Sequence, residues 1–249
     1  MIKKFSVVIP KLSEEERVGY IYFPPTYDED TERRYPVMYM FDGQNIFFDE
    51  DATYKTSWGV AKYLESNPLD MIIIGISSST IGSNRLYEYT PYNFTYNDEN
   101  ITAKGKIYMD WLIKDFKPQV DDKLRTLKDR KHTYLCGSSL GGLMSFYGAT
   151  VYNKYFGKAI CLSPSLWVNI DGVINTINSS KMNEETCIYM DYGSKELDNH
   201  IENKNILTRA TTMLIDKNVS ACLSIAQGAK HCEASWAKRV PYIMKWLDI

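Results

Sequence analysis

Residues Gly137-Ser138-Ser139-Leu140-Gly141 constrain this chain more than any other stretch. Thr133-Tyr134-Leu135-Cys136 before them is a short apolar run of β type. Gly142-Leu143-Met144-Ser145-Phe146-Tyr147-Gly148-Ala149 after them is small and apolar at helical spacing. A strand, a sharp turn and a helix in that order put the middle serine in a strained backbone conformation, and only small neighbours let the chain fold back on itself. The Ser139 hydroxyl is then held clear of the sheet at a helix N-terminus, whose dipole favours developing negative charge. Gly-x-Ser-x-Gly alone also describes an ordinary glycine-rich turn. The flanking strand and helix, with the additional Gly142, point instead to an exposed, reactive serine.

The rest of the chain supplies a sheet for that turn to sit on. β-type runs recur at residues 5–9, 18–23, 36–41, 71–76, 133–136, 158–162, 186–191 and 221–226. From residue 36 onward, helical patterns at 59–65, 107–127, 141–151, 168–177, 199–216 and 234–246 separate most of them. Such alternation predicts an α/β fold with a mostly parallel central sheet and helices on both faces. The first two runs have no helix between them and read as an antiparallel hairpin at one edge. With 249 residues, 44% hydrophobic and 24% charged, the chain is expected to form a single domain spanning residues 1–249.

Composition excludes several classes of function. Net charge is −2, and lysines and arginines are scattered instead of forming a stripe, so neither nucleic acid nor an anionic membrane is an expected partner. No apolar run approaches the length of a membrane span, and the start, Met1-Ile2-Lys3-Lys4-Phe5, leads into too short an apolar segment for a signal peptide. A cytoplasmic location is expected. The five cysteines have no metal-ligand spacing, and Cys136, Cys161, Cys187 and Cys222 are each expected inside a core strand as small hydrophobes.

A reactive serine needs a base, and the chain has three histidines. His132 begins the run that leads to Ser139; at about 3.3 Å per residue it stands roughly 20 Å away, at the wrong end of the sheet. His200 opens a polar helix and reads as a solvated or capping residue. His231 follows the last strand through Gln227-Gly228-Ala229-Lys230, at the C-terminal edge where open α/β sheets collect function, and is the candidate base. The acid should lie between serine and histidine in the chain. Asp191, Glu196 and Asp198 compete for that place. Asp191 is still within its strand and can brace the turn instead. Glu196 and Asp198 lie beyond the Gly193 turn, in a loop that can reach His231, and Glu196 is favoured.

At this point the residues resemble a known family. Tyr39-Met40-Phe41-Asp42-Gly43-Gln44-Asn45 is similar to the His-Asp-Gly-Gln-Asn block after the third strand in the esterase family of α/β-hydrolases that holds esterase D-like enzymes, feruloyl esterases and enterobactin esterases. Further matching blocks are Gly75-Ile76, Asn84 to Pro91, Gly137 to Gly142, Ser163-Pro164-Ser165-Leu166-Trp167, Gly193-Ser194-Lys195-Glu196, and His231-Cys232-Glu233-Ala234-Ser235-Trp236. The resemblance covers nearly everything from Val18 onward. It implies an α/β-hydrolase fold, with Ser139 as nucleophile, His231 as base and Glu196 as acid. Phe41 departs from the family's frequent histidine. Acyl transfer also needs two N–H donors for the oxyanion. The Leu140 amide is expected to supply one and the Gln44 amide the other, although Asp42-Gly43 could equally be a plain turn.

The segment from Arg85 to Tyr96 is dense in aromatics and follows the fourth strand. Arg85 and Tyr92 within it, and Trp167 further on, are candidate substrate-binding residues. The alternatives are that the aromatics merely pack the loop, with Arg85 and Glu88 as a structural ion pair, and that Trp167 belongs to the core. The expected activity is ester hydrolysis through an acyl-enzyme on a small-molecule aryl, acetyl or sugar ester, without metal or organic cofactor. A catecholate siderophore lactone, acyl transfer to an alcohol, and a non-catalytic ligand-binding domain are the rival readings.

Overall fold

Ten of the chain's segments form strands in the computed structural model, which describes residues 1–196 and 200–247, without the side chain of His200. They are β1 (Ile2–Ile9), β2 (Ser13–Tyr22), β3 (Val37–Phe41), β4 (Ile72–Ile76), β5 (Phe94–Tyr96), β6 (Glu99–Ile101), β7 (Thr133–Ser138), β8 (Lys158–Leu162), β9 (Cys187–Gly193) and β10 (Ser220–Ala226). Eight of them build one sheet in the order β1-β2-β4-β3-β7-β8-β9-β10, and β5 and β6 pair separately. β1 runs antiparallel to β2, and β2 to β4; every other pairing in the large sheet is parallel. This is the α/β-hydrolase arrangement expected from the sequence, with the N-terminal hairpin at one edge. β7, which leads to Ser139, is central.

The helices are α1 (Thr26–Glu29), α2 (Val60–Ser66), α3 (Asn84–Glu88), α4 (Gly105–Trp111), α5 (Lys117–Lys123), α6 (Leu140–Val151), α7 (Ile170–Ser179), α8 (His200–Ile215), α9 (Glu233–Ala237) and α10 (Val240–Trp246). Because side chains alternate along a strand, the sheet buries two separate cores. Leu135 of β7 points into one with Met109, Leu143, Val173 and Leu207. Its neighbours Tyr134 and Cys136 point into the other with Val60, Leu64, Ile243 and Met244. β3 and β4 are buried along their whole length, as apolar runs in a parallel sheet covered on both faces should be.

Several elements differ from the sequence reading, each for a physical reason. The helix expected over 107–127 is two helices joined by a π-turn at Leu112–Phe116. Pro118 lies in the first turn of α5, and its missing N–H and bulky ring disturb the preceding ladder. The helix expected over 234–246 is likewise broken: Pro241 sits in the first turn of α10, and Lys238 and Arg239 link it to α9. The break turns Arg239 inward, where it is only 4% exposed. Within the aromatic segment, β5 and β6 form a hairpin whose turn residues Asn97 and Asp98 both have positive φ (47° and 62°), the backbone of a two-residue primed turn. The cysteine expectation holds for Cys136 and Cys161, which are buried. It fails for Cys187, half-buried at the start of β9, and for Cys222, exposed on the edge strand β10. No helix among the described residues is long and apolar enough to cross a membrane.

Candidate active site

Ser139 occupies the turn between β7 and α6 with φ 57° and ψ −122°, a region that non-glycine residues avoid. Such a conformation costs on the order of 1–3 kcal/mol and persists only where its surroundings over-determine it. Here the Ser139 N–H donates to the Leu162 carbonyl at 2.9 Å, and its own carbonyl accepts from Ser165 and Leu143 at 3.0 Å each. The glycines permit the fold-back: a Cβ on Gly137 would lie 2.5 Å from the Gly141 backbone. Ser139 is the residue just before α6 yet makes no side-chain cap, so its hydroxyl is free for other partners.

Those partners form a continuous chain. Ser139 Oγ lies 3.0 Å from Nε2 of His231, and Nδ1 of the same ring lies 2.9 Å from Oε2 of Glu196. The structure therefore brings Ser139, His231 and Glu196 together. His231 is partly open to solvent, with 22% of its side chain exposed, and the Glu196 carboxylate is fully enclosed. Burial pushes the Glu196 carboxyl up, but hydrogen bonds from His231 and Ser163 outweigh it and hold the group below its ordinary value. Oε1 of Glu196 also accepts from the Gly193 amide at 2.7 Å and from the Ser163 hydroxyl at 2.5 Å. Gly193 must be glycine, since a Cβ there would stand 2.4 Å from the Ala229 carbonyl of the histidine loop.

Of the competing acids, Asp191 goes elsewhere. Asp191 Oδ1 accepts from Arg239 at 2.6 Å and from the Ser163 amide at 3.1 Å, so it braces the neighbouring turn. Asp198 lies outside the described residues, as does the side chain of His200. His132 stands at the opposite end of β7, bonded to Asp129 at 2.8 Å.

The two amides expected to face an oxyanion belong to α6 and to the loop after β3. Leu140 opens α6. Gln44 lies in a 3₁₀ turn directly after β3, entered through Asp42 at φ 56°. Among the described residues neither N–H donates to a backbone or side-chain acceptor. The Gln44 side chain is tied to Ser78 in both directions, at 2.9 and 3.1 Å, which anchors the loop. Asn45 spans from that loop toward the histidine loop, with Nδ2 at 3.5 Å from the Glu233 carboxylate.

Arg85 does not pair with Glu88. It forms a bidentate pair with Asp42, both contacts 2.7 Å, while Glu88 pairs with Arg17 at 2.7 Å. Glu88 is taken by Arg17 and the Ser79 amide, and the Asp42 carboxylate meets the Arg85 guanidinium with both oxygens. Arg85 is thus chiefly a clamp on the loop that carries Gln44, with 31% of its side chain still exposed. Changing Arg85 to Gln leaves Asp42 buried without its cation, and is expected to lower unfolding free energy by about 2 kcal/mol, read from the urea midpoint. The Tyr92 hydroxyl donates to Thr176 at 2.8 Å and its ring meets Tyr147 edge-on, so it is a strut to α7. Trp167 is half-buried and packs against Phe94 and Tyr96 of the β5–β6 hairpin. Sequence reasoning passed over Ser165, whose Oγ is 3.3 Å from that of Ser139, and Arg239; only the Ser163-Pro164-Ser165 block hinted at the first.

A model of the family described as "Putative esterase" matches residues 11–243. The chain belongs to this esterase family. A Bacillus subtilis relative, "Uncharacterized protein YbbA", is 26% identical over 240 residues, spanning 91% of this chain and 90% of its own. Among solved structures the fold is similar to an IroE-like serine hydrolase from Shewanella oneidensis, with TM-score 0.75, 19% identity, and coverage of 100% of this chain and 80% of that one. It is also similar to a ferulic acid esterase, with TM-score 0.71, 13% identity, and coverage of 99% and 97%. Family membership makes the protein an enzyme of ester hydrolysis.

Proposed function

We propose that this esterase cleaves a neutral small-molecule carboxylic ester through an acyl-enzyme on Ser139. The observation that carries the reading is the unbroken chain of contacts from Ser139 Oγ through both His231 nitrogens to the enclosed Glu196 carboxylate. His231 Nε2 takes the hydroxyl proton as Oγ attacks the ester carbonyl. The carbonyl oxygen becomes an oxyanion, and the Leu140 and Gln44 amides donate to it. His231 returns the proton to the leaving alcohol, and water releases the acyl group by the same steps reversed in role. Glu196 holds the proton of His231 on Nδ1, which keeps Nε2 free to act as base. The helix dipole of α6 adds to the stabilisation of the oxyanion.

Two observations favour a neutral substrate class. Arg85, the cation that would greet a catecholate lactone, is already neutralised by Asp42. Trp167, backed by Phe94 and Tyr96, offers an aromatic wall two residues from Ser165. A neutral aryl or short acyl ester suits this lining better than an anionic siderophore. Turnover of short-chain p-nitrophenyl esters tests the reaction. A panel of aryl, acetyl and catecholate esters tests the class, with kcat/KM expected to be at least about tenfold higher on the neutral members. Preference for the catecholate would overturn the class, and absence of turnover on every ester by folded protein would favour a binding domain.

A further inference from the structure

Glu196 is not held by His231 alone. The Ser163 hydroxyl accepts from the Trp236 indole N–H and from Arg239 Nη1, each at 3.0 Å. Both are obligate donors, so they occupy the lone pairs of Ser163 Oγ and leave its one proton for Glu196 Oε1, 2.5 Å away. That oxygen already receives the Gly193 amide, and Arg239 Nη2 approaches it at 3.3 Å. Every group around Oε1 is therefore a donor, which favours the ionised carboxylate, with Oε2 turned to His231. Ser163 keeps its place at φ 45°, a left-handed conformation that a serine adopts only under tight constraint.

Arg239 is shared. Its Nη1 lies 2.6 Å from Asp191 while Nη2 faces Glu196, and all three residues are 4% exposed or less. We propose that the buried Asp191–Arg239 pair, acting partly through the Ser163 hydroxyl, is a positioning device that orients Glu196 and sets how readily His231 holds a proton. The proposal rests on the reading of Ser139, His231 and Glu196 as the reacting chain. Asp191 draws the positive charge of Arg239 away from Glu196, which leaves Glu196 more negative and better able to stabilise imidazolium. Arg239 and the Ser163 proton do the reverse. Burial lifts the Asp191 carboxyl to about 7, against the pull of Arg239. Among the described residues, the other titratable groups facing this cluster include Tyr189 and Tyr192 of β9, Cys136 of β7, Cys161 of β8, Cys222 of β10, Glu233 at the start of α9, and, beyond Glu233, the Asp42–Arg85 pair.

The test is the pH dependence of kcat/KM on a short-chain p-nitrophenyl ester for wild type, Asp191→Asn, Ser163→Ala and Arg239→Met, with folding checked by circular dichroism. A base that must be neutral gives a profile that rises with pH. Asp191→Asn frees Arg239 for Glu196 and is expected to move the acid limb to lower pH by about half a unit or more. Ser163→Ala and Arg239→Met are expected to move it to higher pH, and Ser163→Ala also to lower kcat about tenfold at unchanged KM. Opposed displacements are the signature, because general loss of structure would lower amplitudes without moving limbs in opposite senses. If Arg239→Met does not fold, the opposition between Asp191→Asn and Ser163→Ala decides. Limbs that stay still, or move the same way, in active variants overturn the proposal alone. A wild type without turnover removes the reading of Ser139, and the proposal with it.

Discussion

Replacing Ser139 with alanine is expected to lower kcat by about ten-thousandfold or more, because the acyl-enzyme can no longer form. The residual rate would come from binding and from the amides of Leu140 and Gln44. Stability should change little: alanine keeps the Cβ in the same strained turn, and the three backbone hydrogen bonds that hold the turn do not involve the side chain. Ser138→Ala and His132→Ala serve as controls. Ser138 is the last residue of β7, and His132 lies at the far end of that strand, so both variants should retain near-normal rates. Activity surviving in Ser139→Ala, with loss in Ser138→Ala, would place the nucleophile on the wrong residue here.

The second large effect is expected at Glu196. Glutamine is nearly the same shape, yet its two ends are no longer equivalent. The three donors around Oε1 will draw the amide oxygen to that side, which turns the amide NH2 toward His231 Nδ1. The imidazole must then accept at Nδ1 and carry its proton on Nε2, the tautomer that cannot take a proton from Ser139. Glu196→Gln is expected to lower kcat by about a thousandfold or more with little change in KM, read from steady-state kinetics. Asp191→Asn should cost far less, since Asp191 does not touch His231 and acts on Glu196 only through Arg239 and Ser163. Near-normal rates in Glu196→Gln would reassign the acid and spare Ser139 and His231.

Much of this site could be read from the sequence because its parts are local. The turn at Ser139 announces itself through glycines that allow backbone to meet backbone, and His231 and Glu196 lie just past the C-terminal ends of strands, where the fold leaves room. The sheet was legible for a similar reason: β3, β4 and β7 are uninterrupted apolar runs because both their faces are covered. What escaped was long-range pairing. Arg85 chose Asp42, 43 residues away, over Glu88 on its own short helix. Arg239 falls inside the helix expected over 234–246 and carries no signal of its own, and the break before Pro241 turns it toward a carboxylate 48 residues earlier. The β5–β6 hairpin was signalled only by Asn97-Asp98, and two short strands carry too few residues for a period to show.

The central claim is that one hydroxyl, that of Ser139, is the nucleophile. The most direct measurement is to treat the folded wild-type protein with a fluorophosphonate and locate the modified residue by peptide mass mapping. A single stoichiometric adduct is expected on Ser139 in the peptide containing Gly137–Gly141, and its loss in His231→Ala, where nothing withdraws the proton. An adduct on Ser138, Ser163 or Ser165 instead, or no adduct on protein that is folded, would contradict it.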